Sequence, residues 1–242
     1  MSFAPCELSQ DDFLGGALKI LQPRAGFRAG VDPVLLASCI PAKPGQSVLE
    51  LGCGVGVASL CLGHRVAQLS ISGVEIQPDY AELAMRNAAL NGQQFAVHKG
   101  DLRALPETLR TGQFDHVIAN PPYFSRQSGT ASPNAGRDLA LAGDTPLADW
   151  VLVAARRLLP RGYFSVILDI RRLPELLSVV VQHFGSIEVQ PIGARFGRAP
   201  HLLLLRARKG GRAEFVMHSP IVMHDGAHHD RDGESYCAII RA

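Results

Sequence analysis

The stretch SVLELGCGVG, residues 47–56, decides the fold of this chain. Its first half, Ser47 to Leu51, is a short apolar run of the kind that forms a buried β-strand. Glycines at alternate positions in the second half predict a tight turn that lets the backbone approach a ligand closely. A helix is predicted to follow the turn and to end at about Val66. The stretch is therefore one strand–turn–helix unit of a larger α/β pattern.

Strand and helix continue to alternate beyond this unit. Further strands are predicted at 70–75, 95–98, 114–119, 163–168, 187–191 and 201–208, and helices at 79–90, 147–159 and 171–184. Alternation at this spacing predicts an α/β fold with a doubly wound, seven-stranded, mostly parallel sheet. The last two strands lie so close in sequence that we expect them to pair antiparallel.

The regions that flank this core are predicted to extend one domain. The divisions are 1–242 for the single domain, with 1–31 as an N-terminal extension, 32–212 as the core and 213–242 as a C-terminal extension. Ser9 is predicted to cap a short helical turn, and Gly15-Gly16 to form a hairpin before a strand. Asp32 is expected to be the N-cap of a helix that has Pro33 in its first turn and ends near residue 40.

Three segments of the second half are predicted from their composition. Residues 124–144 are long and polar, so we expect a loop over the ligand-binding edge of the sheet. Residues 215–224 are predicted to add an edge strand, and residues 234–241 a terminal helical turn.

Composition places the chain among globular cytoplasmic proteins. With 242 residues, 47% hydrophobic and 19% charged, it fits one domain with an ample core and is not disordered. Its net charge of +2 neither requires nor excludes a polyanionic partner. The five cysteines are scattered, odd in number and mostly in apolar contexts, which predicts reduced, buried thiols. No signal peptide is expected, and no apolar run approaches the roughly 20 residues that span a membrane.

Histidines and aspartates are concentrated near the C-terminus. The cluster consists of His224, Asp225, His228, His229 and Asp230. Because glycines and aspartates surround it, the cluster is predicted to be a solvated loop, and no metal is predicted.

Acidic residues lie at or near the ends of three consecutive predicted strands. Glu50 stands before the glycine turn, Glu75 ends the second strand and Asp101 follows the third. An acid in the position of Glu75 commonly binds a ribose diol. The glycine spacing is G-x-G-x-G, whereas NAD-binding domains prefer G-x-G-x-x-G, and three acids would repel a pyrophosphate. A sulfonium with an α-amino group fits this charge, so the predicted cofactor is S-adenosyl-L-methionine.

Residues 120–123, Asn-Pro-Pro-Tyr, follow the strand at 114–119. Two successive prolines cannot continue a sheet ladder, so they predict a rigid turn at the carboxyl edge, where open α/β folds bind ligands. The carbonyl oxygens of Asn120 and of one proline can accept both N–H bonds of a planar amine, on which Tyr123 would stack. These bonds strengthen as positive charge develops on the nitrogen. The proline carbonyl is that of Pro121 or Pro122, and the alternative to this chemistry is an ordinary proline-rich turn.

Together these motifs resemble those of the class I S-adenosylmethionine-dependent methyltransferases, which have a Rossmann-like fold. The signature (N/D)-P-P-(Y/F/W), used for methylation of planar amino groups, matches residues 120–123. More narrowly, the chain resembles the bacterial tRNA(Val) adenine-N6 methyltransferases over residues 15–23, 26–32, 117–123 and 206–210. This resemblance implies N6-methylation of the adenosine 3′ of the anticodon, with tRNA as the partner.

The resemblance also implies a role for each motif residue. The predicted catalytic residues, which would hold the target base, are Asn120, Pro121, Pro122 and Tyr123. The glycines Gly52, Gly54 and Gly56 would line the methionine part of the cofactor. Glu75 would bind its ribose, and Asp101 its adenine amino group. The residues predicted to bind the cofactor are Arg28, Asp32, Glu50, Gly52, Cys53, Gly54, Glu75, Ile76, Asp101, Leu102 and Asn120.

Basic side chains are candidate contacts to RNA phosphates. They are Arg126, Arg137, Arg195, Arg198, Arg208, Lys209 and Arg212. We expect about half of them to be ordinary solvated charges. Two other functions stay open at this point. A methyltransferase for the glutamine side chain of peptide-release factors would use the same Asn-Pro-Pro-Tyr chemistry, and a non-catalytic RNA-binding domain would keep the fold.

Overall fold

The computed structural model of the protein describes residues 3–122 and 145–224. The strands are β1 (Leu8–Phe13), β2 (Leu18–Pro23), β3 (Ser47–Leu51), β4 (Ser70–Glu75), β5 (Phe95–Lys99), β6 (Phe114–Ala119), β7 (Leu158–Asp169), β8 (Gly185–Arg195), β9 (Leu202–Arg208), β10 (Val216–Met217) and β11 (Ile221–His224). The α-helices are α1 (Asp32–Cys39), α2 (Val57–Arg65), α3 (Pro78–Leu90), α4 (Glu107–Thr111), α5 (Leu147–Arg157) and α6 (Leu173–His183).

One large sheet organises these elements. Its strand order is β10-β8-β9-β7-β6-β3-β4-β5, and β11 also pairs with β8. Strand β9 is antiparallel to both of its neighbours, and the other pairs in this sheet are parallel. The seven predicted strands are therefore all present, the antiparallel pairing of the last two is confirmed, and two short strands extend the sheet beyond β8.

Helices cover the sheet on both faces, and alternate strand residues point into two cores. Val48 packs in a cluster with residues of α1, α2 and α3. Its neighbour Leu49 packs in the other cluster, which contains Trp150 of α5 and Leu176 of α6. A buried strand with helices on both faces is apolar at successive positions, which explains the uninterrupted apolar run at 47–51.

Two predictions for the N-terminal region are wrong. Residues Leu8–Phe13 form a strand instead of a helical turn capped at Ser9, because they pair with β2 along their whole length. That ladder satisfies more backbone groups than a single capping bond would. The Gly15-Gly16 hairpin itself is confirmed. Asp32 is the first residue of α1 and Val31 is its N-cap, without a side-chain capping bond.

The C-terminal prediction needs a smaller correction. The single edge strand expected at 215–224 is two short strands, which both run parallel to β8. Pro220 lies between them and cannot donate to a ladder. Helix α4 was not predicted, since five residues are too few to show a period. The loop predicted at 124–144 and the turn at 234–241 lie outside the described residues.

Burial of the cysteines was predicted only in part. Cys53 and Cys61 are buried, Cys39 is half-buried, and Cys6 is exposed because it lies in a short N-terminal turn that contains no buried residue.

Asn87 of α3 and Asn91, the C-cap of that helix, attach the β1–β2 hairpin to the core. The side-chain amide of Asn91 accepts from the backbone N–H of Lys19 at 2.9 Å and donates to its carbonyl at 2.8 Å. Asn87 pairs in the same way with Leu21, and also donates to the carbonyl of Val55 at 3.0 Å. Each amide thus bonds β2 as the backbone of another strand would. The hairpin is held directly beside the glycine turn that follows β3.

Candidate active site

A cavity opens at the carboxyl edge of the sheet, where β3, β4, β5 and β6 end. Its lining residues are Phe27, Arg28, Gly30, Asp32, Pro33, Gly52, Gly54, Val74, Glu75, Ile76, Gln77, Tyr80, Gly100, Asp101, Leu102, Asn120, Pro121, Pro122, Thr145 and Trp150. The structure therefore brings together most of the residues predicted from four separate motifs. Parallel strands end at the same edge, and this is the physical reason for their convergence.

The glycine turn after β3 forms the floor of this cavity. Gly52 and Gly54 have φ values of +61° and +53°, in the left-handed region that favours glycine. A Cβ atom on Gly52 would lie 2.6 Å from Cη2 of Trp150, so a side chain here would displace the indole ring. Gly56 is the N-cap of α2 and does not line the cavity. The turn therefore needs glycine for both its conformation and its contact with α5.

Glu75 ends β4 with its carboxylate against the glycine turn. One oxygen accepts the backbone N–H of Gly54 at 2.8 Å, and the other accepts that of Gln77 at 2.9 Å. Burial raises the pKa of this carboxyl, while the backbone N–H donors act to lower it. A carboxylate has about four acceptor positions, so about one remains for a hydroxyl donor of a ligand once the backbone N–H groups of Gly54, Ile76 and Gln77 are counted. This arrangement suits the predicted contact with a ribose diol.

Glu50 and Cys53, both predicted to bind the cofactor, do not line the cavity. Both side chains are buried, and the carboxylate of Glu50 accepts from the backbone N–H and the hydroxyl of Ser59 in the first turn of α2. Burial raises the pKa of Glu50 to about 8. The structure therefore gives Glu50 a place beneath the glycine turn, where it bonds the start of α2.

The buried carboxyl of Glu50 should make stability depend on pH. Its folded pKa lies above its ordinary value of 4.5, so its contribution to stability is lost as the pH rises from 4.5 to about 8. Burial lowers the pKa of His116 from 6.5 to about 4, and this group acts in the opposite direction below pH 6.5. Between pH 6.5 and 8 we expect Glu50 to reduce the free energy of unfolding by roughly 2 kcal/mol.

Urea unfolding of the wild type and of Glu50→Gln at pH 6.5 and pH 8 measures this effect. The glutamine keeps an oxygen that accepts from Ser59 and does not titrate, so its stability should change less over this interval. Parallel pH dependences for the two proteins would show that Glu50 is already ionised at pH 6.5.

Asp101 follows β5 at the adenine side of the predicted site. Its carboxylate accepts from the backbone N–H of Arg103 at 2.8 Å and from the guanidinium of the same residue, with a shortest distance of 2.6 Å. These bonds from Arg103 lower the pKa of Asp101, which keeps it an ionised acceptor. Its neighbour Leu102 is buried and supplies an apolar wall. The predicted contact between Asp101 and an adenine amino group stays a prediction.

The N-terminal hairpin positions one wall of the cavity through Arg28. The guanidinium of Arg28 forms an ion pair with Asp11 at 2.5 Å and donates to the hydroxyl of Ser9 at 2.8 Å. The preceding carbonyl, of Phe27, accepts from the hydroxyl of Tyr80 at 3.1 Å. Arg28 and Asp32, both predicted to bind the cofactor, line the cavity. The extension before α1 is therefore part of the site.

The turn after β6 brings two prolines and an amide to the cavity. Asn120, Pro121 and Pro122 line it together, while Tyr123 lies outside the described residues. The carbonyl of Pro122 accepts from Nη1 of Arg172 at 2.9 Å. The same guanidinium is held by both carboxylate oxygens of Glu175, each at 3.1 Å. Since Arg172 engages the carbonyl of Pro122, this contact favours Pro121 as the proline that accepts a target N–H.

Several cavity residues were missed by sequence reasoning. They are Phe27, Gly30, Pro33, Val74, Gln77, Tyr80, Gly100, Thr145 and Trp150. Trp150 lies on α5, about a hundred residues from the glycine turn it contacts. The apolar side of α5 shows that Trp150 is buried, but nothing in the sequence shows that its ring lies against Gly52. Phe27 and Gly100 directly precede predicted residues, and this proximity was an available signal.

The predictions that no metal is bound and that no segment spans a membrane can be compared only with residues 3–122 and 145–224, which the structure describes. Across these ranges, His, Cys, Asp and Glu side chains form no group of three or more that is placed to hold a metal ion. Four members of the C-terminal cluster, Asp225, His228, His229 and Asp230, lie outside them. None of the helices within these ranges is long and apolar enough to cross a membrane.

Comparison with known proteins identifies methyltransferases as relatives of this chain. The methyltransferase small domain family matches residues 28–190. The tRNA1(Val) (adenine(37)-N6)-methyltransferase of Yersinia enterocolitica is 31% identical over 202 residues, which cover 81% of this chain and 79% of the relative. The enzyme of the same description from Tolumonas auensis is 30% identical over 199 residues, 80% of this chain and 81% of the relative.

Solved structures share the fold. A predicted O-methyltransferase from Agrobacterium tumefaciens superposes with a TM-score of 0.70 at 24% identity, over 87% of this chain and 95% of that one. A 16S rRNA N2 G1207 methyltransferase from T. thermophilus gives a TM-score of 0.58 at 21% identity, over 84% of this chain and 50% of that one. The family match, from Arg28 to Gln190, contains β3 to β7 and thus the whole carboxyl edge at which the cavity opens.

Proposed function

The chain belongs to the methyltransferase small domain family, and from this premise we propose that it methylates N6 of an adenosine in tRNA. It is an S-adenosylmethionine-dependent methyltransferase. The substrate we propose is the adenosine at position 37 of a valine tRNA, which the names of two relatives specify. The observation that carries the proposal is the placement of Asn120 and Pro121 in the same cavity as Glu75 and Asp101.

The residues of the cavity fit this cofactor. Ile76, Leu102 and Trp150 supply apolar walls for an adenine ring. Glu75 has acceptor capacity left for a ribose hydroxyl, and the acidic residues give the cavity a charge that suits a sulfonium and an α-amino group. When bound, S-adenosylmethionine supplies an electrophilic methyl group. The cavity walls orient it toward the residues that hold the acceptor.

The turn after β6 would hold the acceptor amine. The lone pair of an adenine amino group is delocalised into the ring, which makes it a poor nucleophile. Oδ1 of Asn120 and the carbonyl of Pro121 would each accept one of its N–H bonds and favour a localised lone pair. As charge develops on the nitrogen, these two oxygens stabilise it more strongly than in the ground state. Arg172 holds the next carbonyl, of Pro122, and so fixes the turn that presents them.

Uptake of label from radioactive cofactor tests the proposal. The enzyme would be incubated separately with bulk tRNA, rRNA and a release factor, and then with valine tRNA in which position 37 is adenosine or guanosine. We expect label in bulk tRNA and in the adenosine form. Label in the release factor alone would favour glutamine methylation. Label in neither RNA nor protein would mean that none of these substrates is methylated, which contradicts the proposal.

A further inference from the structure

The carboxyl edge of the sheet continues past the active site to the turn between β8 and β9. Strands β7 and β8 are both antiparallel to β9, so β8 runs in the same direction as β6 and β7. Its last residue, Arg195, therefore lies at the edge where β6 leads into Asn120. Three strand spacings separate β6 from β8 in the order β6-β7-β9-β8, or about 14 Å.

This turn exposes an aromatic ring between two cations. Phe196 is 93% exposed, the largest value among the exposed large hydrophobic side chains of the described residues. Arg195 precedes it and Arg198 follows Gly197, whose φ of +74° closes the turn. The backbone N–H of Arg198 donates to the carbonyl of Arg195 at 3.2 Å, so the turn has a defined shape. We refer to residues 195–198 as the Arg-Phe turn.

The two arginines of the Arg-Phe turn differ in their ion pairing from Arg171 and Arg172, which follow β7. Arg171 is paired with Asp169 at 2.6 Å, and Arg172 with Glu175 at 3.1 Å. Within residues 3–122 and 145–224, neither Arg195 nor Arg198 forms an ion pair. In the described part of the chain, no carboxylate neutralises these two guanidinium groups, in contrast to those of Arg171 and Arg172.

We propose that the Arg-Phe turn is a stacking platform for an unpaired RNA base near the target adenosine, with Arg195 and Arg198 on the flanking phosphates. This inference rests on the proposed function and names the surface that holds its substrate. An RNA loop must splay out the target base before Asn120 can reach it, and neighbouring bases then lose their stacking partners. An exposed aromatic ring replaces such a partner, whatever the base, because every base has a π-face.

The chemistry of this surface favours RNA as the partner. Phe196 stands between two arginines on a short turn, and an exposed ring beside cations is the combination that binds single-stranded nucleic acid. Arginine binds phosphate through its planar fork of donors and also stacks on bases. The distance of about 14 Å from β6 separates the platform from the target position, so the base it stacks on is a neighbour of the target.

Steady-state kinetics with tRNA tests the stacking role. Phe196→Ala should raise the KM for tRNA by about tenfold and leave the KM for S-adenosylmethionine unchanged. Phe196→Tyr keeps a flat ring and should restore the wild-type KM. The matched control is Phe215→Ala, because Phe215 is 51% exposed but precedes β10, which pairs with the amino-terminal half of β8. The Phe215→Ala variant should have the wild-type KM for tRNA.

Salt dependence of tRNA affinity tests the arginines. Arg195→Ala and Arg198→Ala should each reduce the slope of log affinity against log salt concentration by about one unit. If tRNA is methylated and Phe196→Ala keeps the wild-type KM, the platform is wrong while the proposed function stands. If the wild type methylates no tRNA, the proposed function fails and the platform fails with it.

Discussion

Replacing Asn120 with alanine is expected to lower kcat for methylation of tRNA about 10²–10³-fold. The substitution removes one of two carbonyl oxygens that face the target amine, and loss of a preorganised partner for developing charge has effects of this size. Affinity for S-adenosylmethionine should hardly change, because Asn120 is assigned to the methyl acceptor. Single-turnover rates at saturating tRNA, together with calorimetry of cofactor binding, separate the two effects.

Asn120→Asp is the matched control for this prediction. It keeps an acceptor oxygen at the same place, and the signature of the family allows Asp there, so it should retain far more activity than Asn120→Ala. Tyr123→Phe keeps the ring and should stay nearly active, whereas Tyr123→Ala should not. Full activity of Asn120→Ala would mean that residues 120–123 are only a turn.

Replacing Glu75 with alanine is expected to weaken binding of S-adenosylmethionine by roughly 1–3 kcal/mol, which is about 5- to 150-fold in Kd. Its carboxylate bonds the backbone N–H groups of Gly54 and Gln77 and has an acceptor position left for the ribose. The substitution therefore loosens the glycine turn and removes a ligand contact. Calorimetry with S-adenosylmethionine, and with its demethylated product, measures the loss.

Two control variants make this result specific. Glu75→Gln keeps one carbonyl oxygen for a backbone N–H and should bind S-adenosylmethionine more tightly than Glu75→Ala does. Glu107→Ala removes a carboxylate that is 83% exposed and lies outside the cavity lining, so it should leave Kd unchanged. Unfolding midpoints of all variants show whether the fold is intact. An unaltered Kd for a folded Glu75→Ala protein would remove Glu75 from the cofactor site.

The sequence alone predicted which motif residues lie together in the site. Strand–helix alternation identified the parallel sheet, and parallel strands end at one edge, so Glu75, Asp101 and Asn120 were expected together before any contact was known. The tight turn at Gly52 and Gly54 could be predicted because a positive φ depends on local residues alone. Features that depend on a residue and its near neighbours in the chain could thus be predicted.

Tertiary structure decided what each of these residues contacts. Glu50 is the same residue type as Glu75, but it faces Ser59 inside the protein while Glu75 borders the cavity. Leu8–Phe13 has a capping signal, but it forms a ladder with β2, and Asn87 and Asn91 in turn hold β2 against the core. Trp150 against Gly52, and Arg172 on the carbonyl of Pro122, join elements far apart in the chain. Such contacts depend on how helices pack across a finished sheet, and no local pattern of residues encodes that packing.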